Sequence, residues 1–191
     1  MVYVFLHTLL MSRVYNAHLL NFKNRADMEY YSQHGQDKFL NEEIFQDKEN
    51  GVFVDIGAHD GVSISNSYFF EKMKNWTGVC IEPIPSVFDK LKNSRKCHMV
   101  NCAISDKEGT ADFICGTGYV EMLSGLKENY DERHLARANK EIEEYGGKIE
   151  TVQVQTRKLD NILKEFNINH VDFCSIDVEG AELSVVKSID F

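Results

Sequence analysis

From residue 29 onward, short apolar runs alternate with stretches of helical spacing, the pattern of a parallel sheet wrapped by helices. Gly51-Val-Phe-Val-Asp-Ile56 is nearly all apolar and is flanked by Asn50 and Gly57, which predicts a central strand buried on both faces. Val62 to Met73 is predicted as the helix that follows, and Thr77-Gly-Val-Cys-Ile-Glu82 as a second strand. Pro85 suits a helix's first turn, with Val87, Phe88 and Leu91 forming one apolar stripe before His98 to Ile104, read as a third strand. Two more β-like runs, Thr110 to Cys115 and Glu150 to Thr156, bracket a charged segment. Leu159, Ile162, Leu163 and Phe166 then fall at helical spacing, and Val171 to Asp177 reads as a fourth buried strand. The bracketed segment, Glu121 to Gly147, is expected to be a helical insertion over the sheet, either a lid above a substrate site or a plain surface helix. The fold class is therefore α/β, a mostly parallel sheet with helices on both faces.

Composition narrows the partners. The chain has 191 residues, 43% of them hydrophobic, which suits one globular domain with a sizeable core. A net charge of -9 argues against nucleic acid, which needs a basic face, and leaves a small-molecule or glycan acceptor as the expected partner. The densest basic stretch, Lys90 to Lys96, reads as a solvated helix face. Five cysteines with no C-x-x-C pair indicate neither a disulfide framework nor a metal site, and a cytoplasmic setting follows as the expectation. Cys80, Cys102 and Cys174 lie in apolar runs and read as buried hydrophobes. The apolar run Val2 to Met11 is short of the ~20 residues that span a bilayer and lacks a basic leader, so no firm membrane anchor is expected. Residues 1–27 are set apart as an N-terminal extension with no assigned role, and 28–191 as the domain.

Ligands of an open parallel sheet bind beyond the carboxyl ends of the strands, so the chemistry is sought in those turns. The first is Asp55-Ile-Gly57-Ala-His59-Asp60-Gly61. Gly57 permits a tight turn and Gly61 a close approach of ligand to backbone. The spacing is G-x-x-x-G rather than the dinucleotide fingerprint G-x-G-x-x-G, and Asp55 and Asp60 would repel a pyrophosphate. S-adenosylmethionine carries an ammonium and a sulfonium and no phosphate, so it suits these acids; an NAD site is the disfavoured alternative. Glu82 follows the second strand, where a carboxylate accepts both ribose hydroxyls. Ala103-Ile104-Ser105-Asp106 falls where an adenine lies, with Ile104 as wall and Ser105 or Asp106 for the exocyclic amine. The fourth turn, Asp177-Val-Glu179-Gly-Ala-Glu182, offers catalytic candidates: Asp177 facing cofactor or acceptor, with Glu179 or Glu182 as base, or acids that merely offset a helix dipole. His34 and His59 are further candidate bases.

Tyr31-Ser-Gln-His-Gly-Gln-Asp37, Val54-Asp-Ile-Gly-Ala-His-Asp-Gly61, Ser65-Asn-Ser67, Ile81-Glu-Pro83, Ala103-Ile-Ser-Asp106, Leu159-Asp160 and Ile176-Asp-Val-Glu-Gly-Ala-Glu182 occur in that order. As an ordered set, Tyr31 to Ile189 resembles the FkbM-type methyltransferases, a branch of the Rossmann-like S-adenosylmethionine enzymes. The resemblance implies O-methylation of a sugar or small-molecule hydroxyl, with Asp55, Gly57, Gly61 and Glu82 holding the cofactor. It also implies that Ser32 to Asp37 closes over the pocket, bringing Gln33 and Gln36 near it. The family continues with further strands, in the order 3-2-1-4-5-7-6, whereas this chain stops at Phe191. The expectation is a truncated domain whose C-terminal strands are missing, with a partner or missing segment covering the fourth strand's edge. A non-catalytic binding fragment is the alternative.

Overall fold

The computed structural model describes residues 28–130 and 132–189; the extension over 1–27 lies outside them. The chain opens with α1 (Gln36–Phe39), which continues as one wide turn over Leu40–Ile44. Then follow β1 (Val52–Ile56), α2 (Tyr68–Lys74), β2 (Thr77–Ile81), α3 (Pro85–Ser94), β3 (His98–Val100) and β4 (Ala103–Ile104). A second half adds β5 (Gly109–Thr117), β6 (Gly125–Leu126), α4 (Glu132–Tyr145), β7 (Lys148–Arg157), α5 (Leu159–Glu165), β8 (Phe173–Ile176) and α6 (Glu182–Lys187).

Two four-stranded sheets result. The first runs β3-β2-β1-β8, with every pairing parallel. Its strands alternate between two apolar faces, as the unbroken apolar runs required. Val54, Ile56, Val79 and Ile81 point to one face and pack with Leu159 and Ile162 of α5 and Val185 of α6. Phe53, Cys80 and Phe173 point to the other and pack with Leu40, Phe69, Phe70, Trp76 and Leu91. Helices therefore cover both faces, as expected from the sequence. All five cysteines are free and buried. Among the described residues β8 has β1 as its one strand neighbour, and no helix is long and apolar enough to cross a membrane.

The structure departs from the sequence reading in three places. The third strand is two: β3 ends at Val100, and β4 belongs to the second sheet, β4-β7-β5-β6, in which β5 and β7 pair antiparallel. The break lies at Asn101, whose side-chain amide donates to the carbonyls of Glu82 (2.8 Å) and Pro83 (3.0 Å) and fixes the loop after β2 instead of extending a ladder. The first helix begins at Tyr68 rather than Val62. Side chains compete for its backbone donors there: Asp60 accepts from the N–H of Val62 and Ser63, and Ser65 Oγ from Ser67 and Tyr68. The insertion is not a single helix over the parallel sheet. It begins with a tight turn over Gly118–Leu123, pairs β6 with β5, and packs Ala138 and Ile142 of α4 against Val120, Leu123 and Ile149.

Candidate functional site

The tips of β1, β2, β4 and β8 open onto one cavity of about 520 Å³. Gly57, with φ +83°, turns the chain sharply after β1, and a Cβ there would sit 2.0 Å from the carbonyl oxygen of Asp177. Only glycine lets the tips of β1 and β8 come this close. Asp55 is 4% exposed; its Oδ2 accepts from Ser67 Oγ at 2.5 Å. Burial pushes its carboxyl up from the usual range, against the pull of Arg95 and the hydroxyls of Ser67, Ser175 and Ser65.

Glu82 is also buried and is aimed by its surroundings. Oε1 accepts from the N–H of Ile84 (2.8 Å) and Oε2 from that of His59 (3.1 Å), so the β1 loop and the β2 loop meet on one carboxylate. Each oxygen keeps acceptor capacity for a ligand hydroxyl. Burial raises its pKa to about 7, opposed by the backbone donors of Ile84 and His59 and the charge of His59. His59 itself, at φ +50°, places Nε2 2.7 Å from Glu121 Oε1, which ties the β1 loop to the insertion. Ile64, a β-branched residue at φ +50°, also lines the cavity and bridges Ser32; such backbone is costly and concentrates at binding sites.

Of the residues singled out in the sequence, Asp55, Gly57, His59, Glu82, Ile104, Asp177 and Glu179 line this cavity, as do Gln33, His34 and Gln36 of the N-terminal segment. That segment is held by Asp37, fully buried, which accepts from the N–H groups of Tyr31 and Ser32 and from Ser32 Oγ. Asp177 is exposed at the strand tip and Glu179 half-buried. Insertion residues Glu121, Leu123, Leu126, Arg137 and Glu141 complete the wall.

Five residues lie elsewhere. Asp60 turns back on its own loop, accepting from Ser63 Oγ and the two N–H groups already named. These bonds outweigh burial and hold its carboxyl below the usual range. Gly61 does not face a ligand; a Cβ there would meet Leu91, Ser94 and Arg95 at 2.6 to 2.8 Å. Its backbone (φ +82°) packs against α3, so Gly61→Ala is expected to destabilise the fold by roughly 1–2 kcal/mol from left-handed strain alone, read as a lowered urea midpoint; an unchanged midpoint would count against this packing role. Ser105 is buried with its N–H on Arg157, and Asp106 lies beyond it, neither on the cavity wall. Glu182 stands at the start of α6, also off the wall.

Sequence reasoning missed two contributors. Asn66 lines the cavity with its Nδ2 on Ser175 Oγ (3.0 Å) and its Oδ1 buried without a hydrogen-bond partner among the described residues. Arg95, inside the stretch read as a solvated face, is 4% exposed. Its Nε donates to Glu71 Oε2, Nη1 to the Gly61 carbonyl (3.0 Å) and Nη2 to Ser67 Oγ (3.0 Å), which in turn donates to Asp55. Among the described residues no group of three His, Cys, Asp or Glu side chains is arranged to hold a metal.

A parallel sheet whose first and second strand tips share one cavity, with an aimed carboxylate on the second, is consistent with a Rossmann-like methyltransferase fold. The chain belongs to the FkbM methyltransferase domain family, whose model matches residues 55–191. It is similar to Methyltransferase 1 of Beauveria bassiana, 25% identical over 80% of this chain and 67% of that protein. Methyltransferase sdnD of Sordaria araneosa is 26% identical over 80% of this chain and 69% of its own length. The 2-O-methyltransferase NoeI of Sinorhizobium fredii is 27% identical over 73% of this chain and 58% of its own length. No solved structure matches the chain at a significant level.

Proposed function

We propose that this domain binds S-adenosylmethionine and transfers its methyl group to a hydroxyl oxygen of a sugar or other small molecule. The observation that carries the reading is Glu82, a buried carboxylate at the tip of β2 clamped between the backbone of the β1 loop and its own loop. The donor set fits the cofactor. Glu82 would accept the ribose hydroxyls, Ile104 and Ile84 would flank the base, and the orphaned Oδ1 of Asn66 offers an acceptor to an ammonium N–H. The name of NoeI supports an oxygen acceptor.

The bound cofactor would supply the methyl group on an already good leaving group. What remains for the protein is to align the acceptor, keep water out and receive a proton. The walls from the N-terminal segment and the insertion enclose the site, and Asp177 or Glu179 takes the acceptor's proton. A cytoplasmic setting is part of the proposal, and the free, buried thiols support it.

Calorimetric titration of the 191-residue chain with S-adenosylmethionine tests the pocket, and absence of binding would overturn the reading. Formation of S-adenosylhomocysteine distinguishes an enzyme from a domain that only binds. The affinity is expected to depend on pH. With the Glu82 pKa at about 7, the ionised form that accepts both hydroxyls is lost as pH falls. If only that form binds, the apparent Kd rises roughly tenfold between pH 8 and pH 6. A flat profile over that range would show that Glu82 does not act as a carboxylate here.

A further inference from the structure

The cavity has two chemically distinct parts. One is the strand-tip region around Asp55, Gly57 and Glu82. The other is formed where α4 meets the loop after β8. On α4, Ala138 and Ile142 pack into the apolar cluster with Val120 and Leu123, and this fixes the helix's rotation. Arg137 and Glu141, one turn apart on the neighbouring face, are thereby turned to the cavity, with Arg137 Nε on Glu141 Oε1 at 2.9 Å. Across from them, Glu179 packs its backbone on Gly125, where even a Cβ would come within 3.0 Å of the Glu179 carbonyl oxygen. Arg137 feels the charges of Glu179 and Glu141 and the ring hydroxyl of Tyr130, so these groups form one electrostatic cluster. Glu82 couples instead to His59 and Glu121.

We propose that this α4 end is the acceptor subsite, and that Arg137, Glu141 and Glu179 select a neutral, hydroxyl-rich acceptor over an anionic one. The inference rests on the methyl-transfer reading of the same cavity. A guanidinium bonded to one carboxylate, with a second acid lining the same cavity, offers donors and acceptors together, which matches a ligand whose hydroxyls both give and take hydrogen bonds. Phe113 and Leu126, on the same cavity wall, supply apolar surface for the C–H face of a ring. The charge balance sets the selectivity. Asp55, Glu82, Glu121, Glu141, Asp177 and Glu179 line the cavity, against Arg137 as the one Lys or Arg side chain among the described lining residues, with Lys90 Nζ beside them at 3.6 Å from Glu121 Oε1. An acceptor bearing a phosphate or carboxylate meets the repulsion of Glu121, Glu141, Asp177 and Glu179, since burial holds Asp55 and Glu82 back from full ionisation.

The test compares two probes of the same ring, methyl β-glucopyranoside and methyl β-glucopyranosiduronate. Their binding to the full chain is measured by saturation-transfer NMR with S-adenosylhomocysteine present, and cofactor affinity is measured in the same samples. The wild-type chain is expected to bind the neutral probe more than about tenfold more tightly than the anionic one, a difference of ~1.4 kcal/mol. Glu141→Lys is expected to erase or invert that preference with cofactor affinity unchanged, and Glu141→Gln to narrow it. Equal affinity for both probes in wild type and variants, or binding of neither by a chain that holds its cofactor, would overturn the subsite. A chain that does not bind the cofactor at all overturns the methyl-transfer reading itself. Circular dichroism checks that each variant folds, and the glutamine variant keeps the test open if the lysine variant does not.

Discussion

Glu82→Gln is expected to weaken S-adenosylmethionine binding by about two orders of magnitude and to remove its pH dependence. The side chain sits 5% exposed with one backbone N–H on each oxygen. Glutamine keeps one acceptor oxygen and presents its amide NH2, a donor, to the other backbone donor, so either His59 or Ile84 loses its partner and the two loops no longer converge on one group. The amide also cannot accept a second ribose hydroxyl. Hydrogen bonds to a charged group contribute about 1.5–3 kcal/mol each, so losing one ribose bond and weakening the other, now made to a neutral acceptor, amounts to roughly 3 kcal/mol, or about 100-fold in Kd. Global stability should change much less. The pKa of about 7 shows that the folded protein holds this carboxylate against a desolvation penalty, and the neutral amide escapes it. Calorimetric titration at pH 8, paired with a denaturation midpoint, separates the two effects. A Kd within threefold of wild type would remove Glu82 from the cofactor site.

The strand tips that form this site were legible because they follow runs apolar on both faces, and few arrangements other than a central parallel strand tolerate such runs in a globular domain. That is why Asp55, Gly57, Glu82, Asp177 and Glu179 were placed where the cavity lies, whereas Ile104 reaches the cavity from β4 of the second sheet rather than from the tip of a parallel third strand. The second sheet was hidden for the opposite reason. β7 is largely exposed, and β5 is exposed at both ends, so neither announces a partner. The β3–β4 break depends on Asn101 reaching back to two carbonyls near the tip of β2, a contact that no local pattern encodes. Asp60 illustrates how charge can mislead. Its proximity to the glycines suggested a ligand contact, yet short-range bonds to Val62 and Ser63 satisfy it within its own turn. The acids that reach the cavity from the first two strands are therefore Asp55 and Glu82 rather than Asp60.

Arg95 shows what one-dimensional reading leaves out, and its replacement should have the largest effect on stability. Flanked in sequence by Ser94 and Lys96, it reads as the end of a basic helix, yet it occupies the centre of a buried network. Its guanidinium lies 5.2 Å from the Phe53 ring and 5.5 Å from the Tyr68 ring and donates in three directions, to Glu71, Gly61 and Ser67. Two buried or nearly buried carboxylates depend on it: Glu71 directly and Asp55 through Ser67. Arg95→Met preserves much of the volume and removes the charge, which strands those acids. Breaking a buried pair by deleting one member costs about 3–5 kcal/mol, a large part of a small domain's stability. Arg95→Lys keeps the charge but not the planar fork, so it should recover part of the loss and not all of it. Adding Glu71→Gln to Arg95→Met should restore stability more than the single changes would predict by addition, because the second substitution removes the charge that the first left unpaired. Urea denaturation of the four proteins closes that cycle. Additive costs, or a loss below about 1 kcal/mol for Arg95→Met, would mean that the network is solvated in solution and that the β1 loop is held from elsewhere.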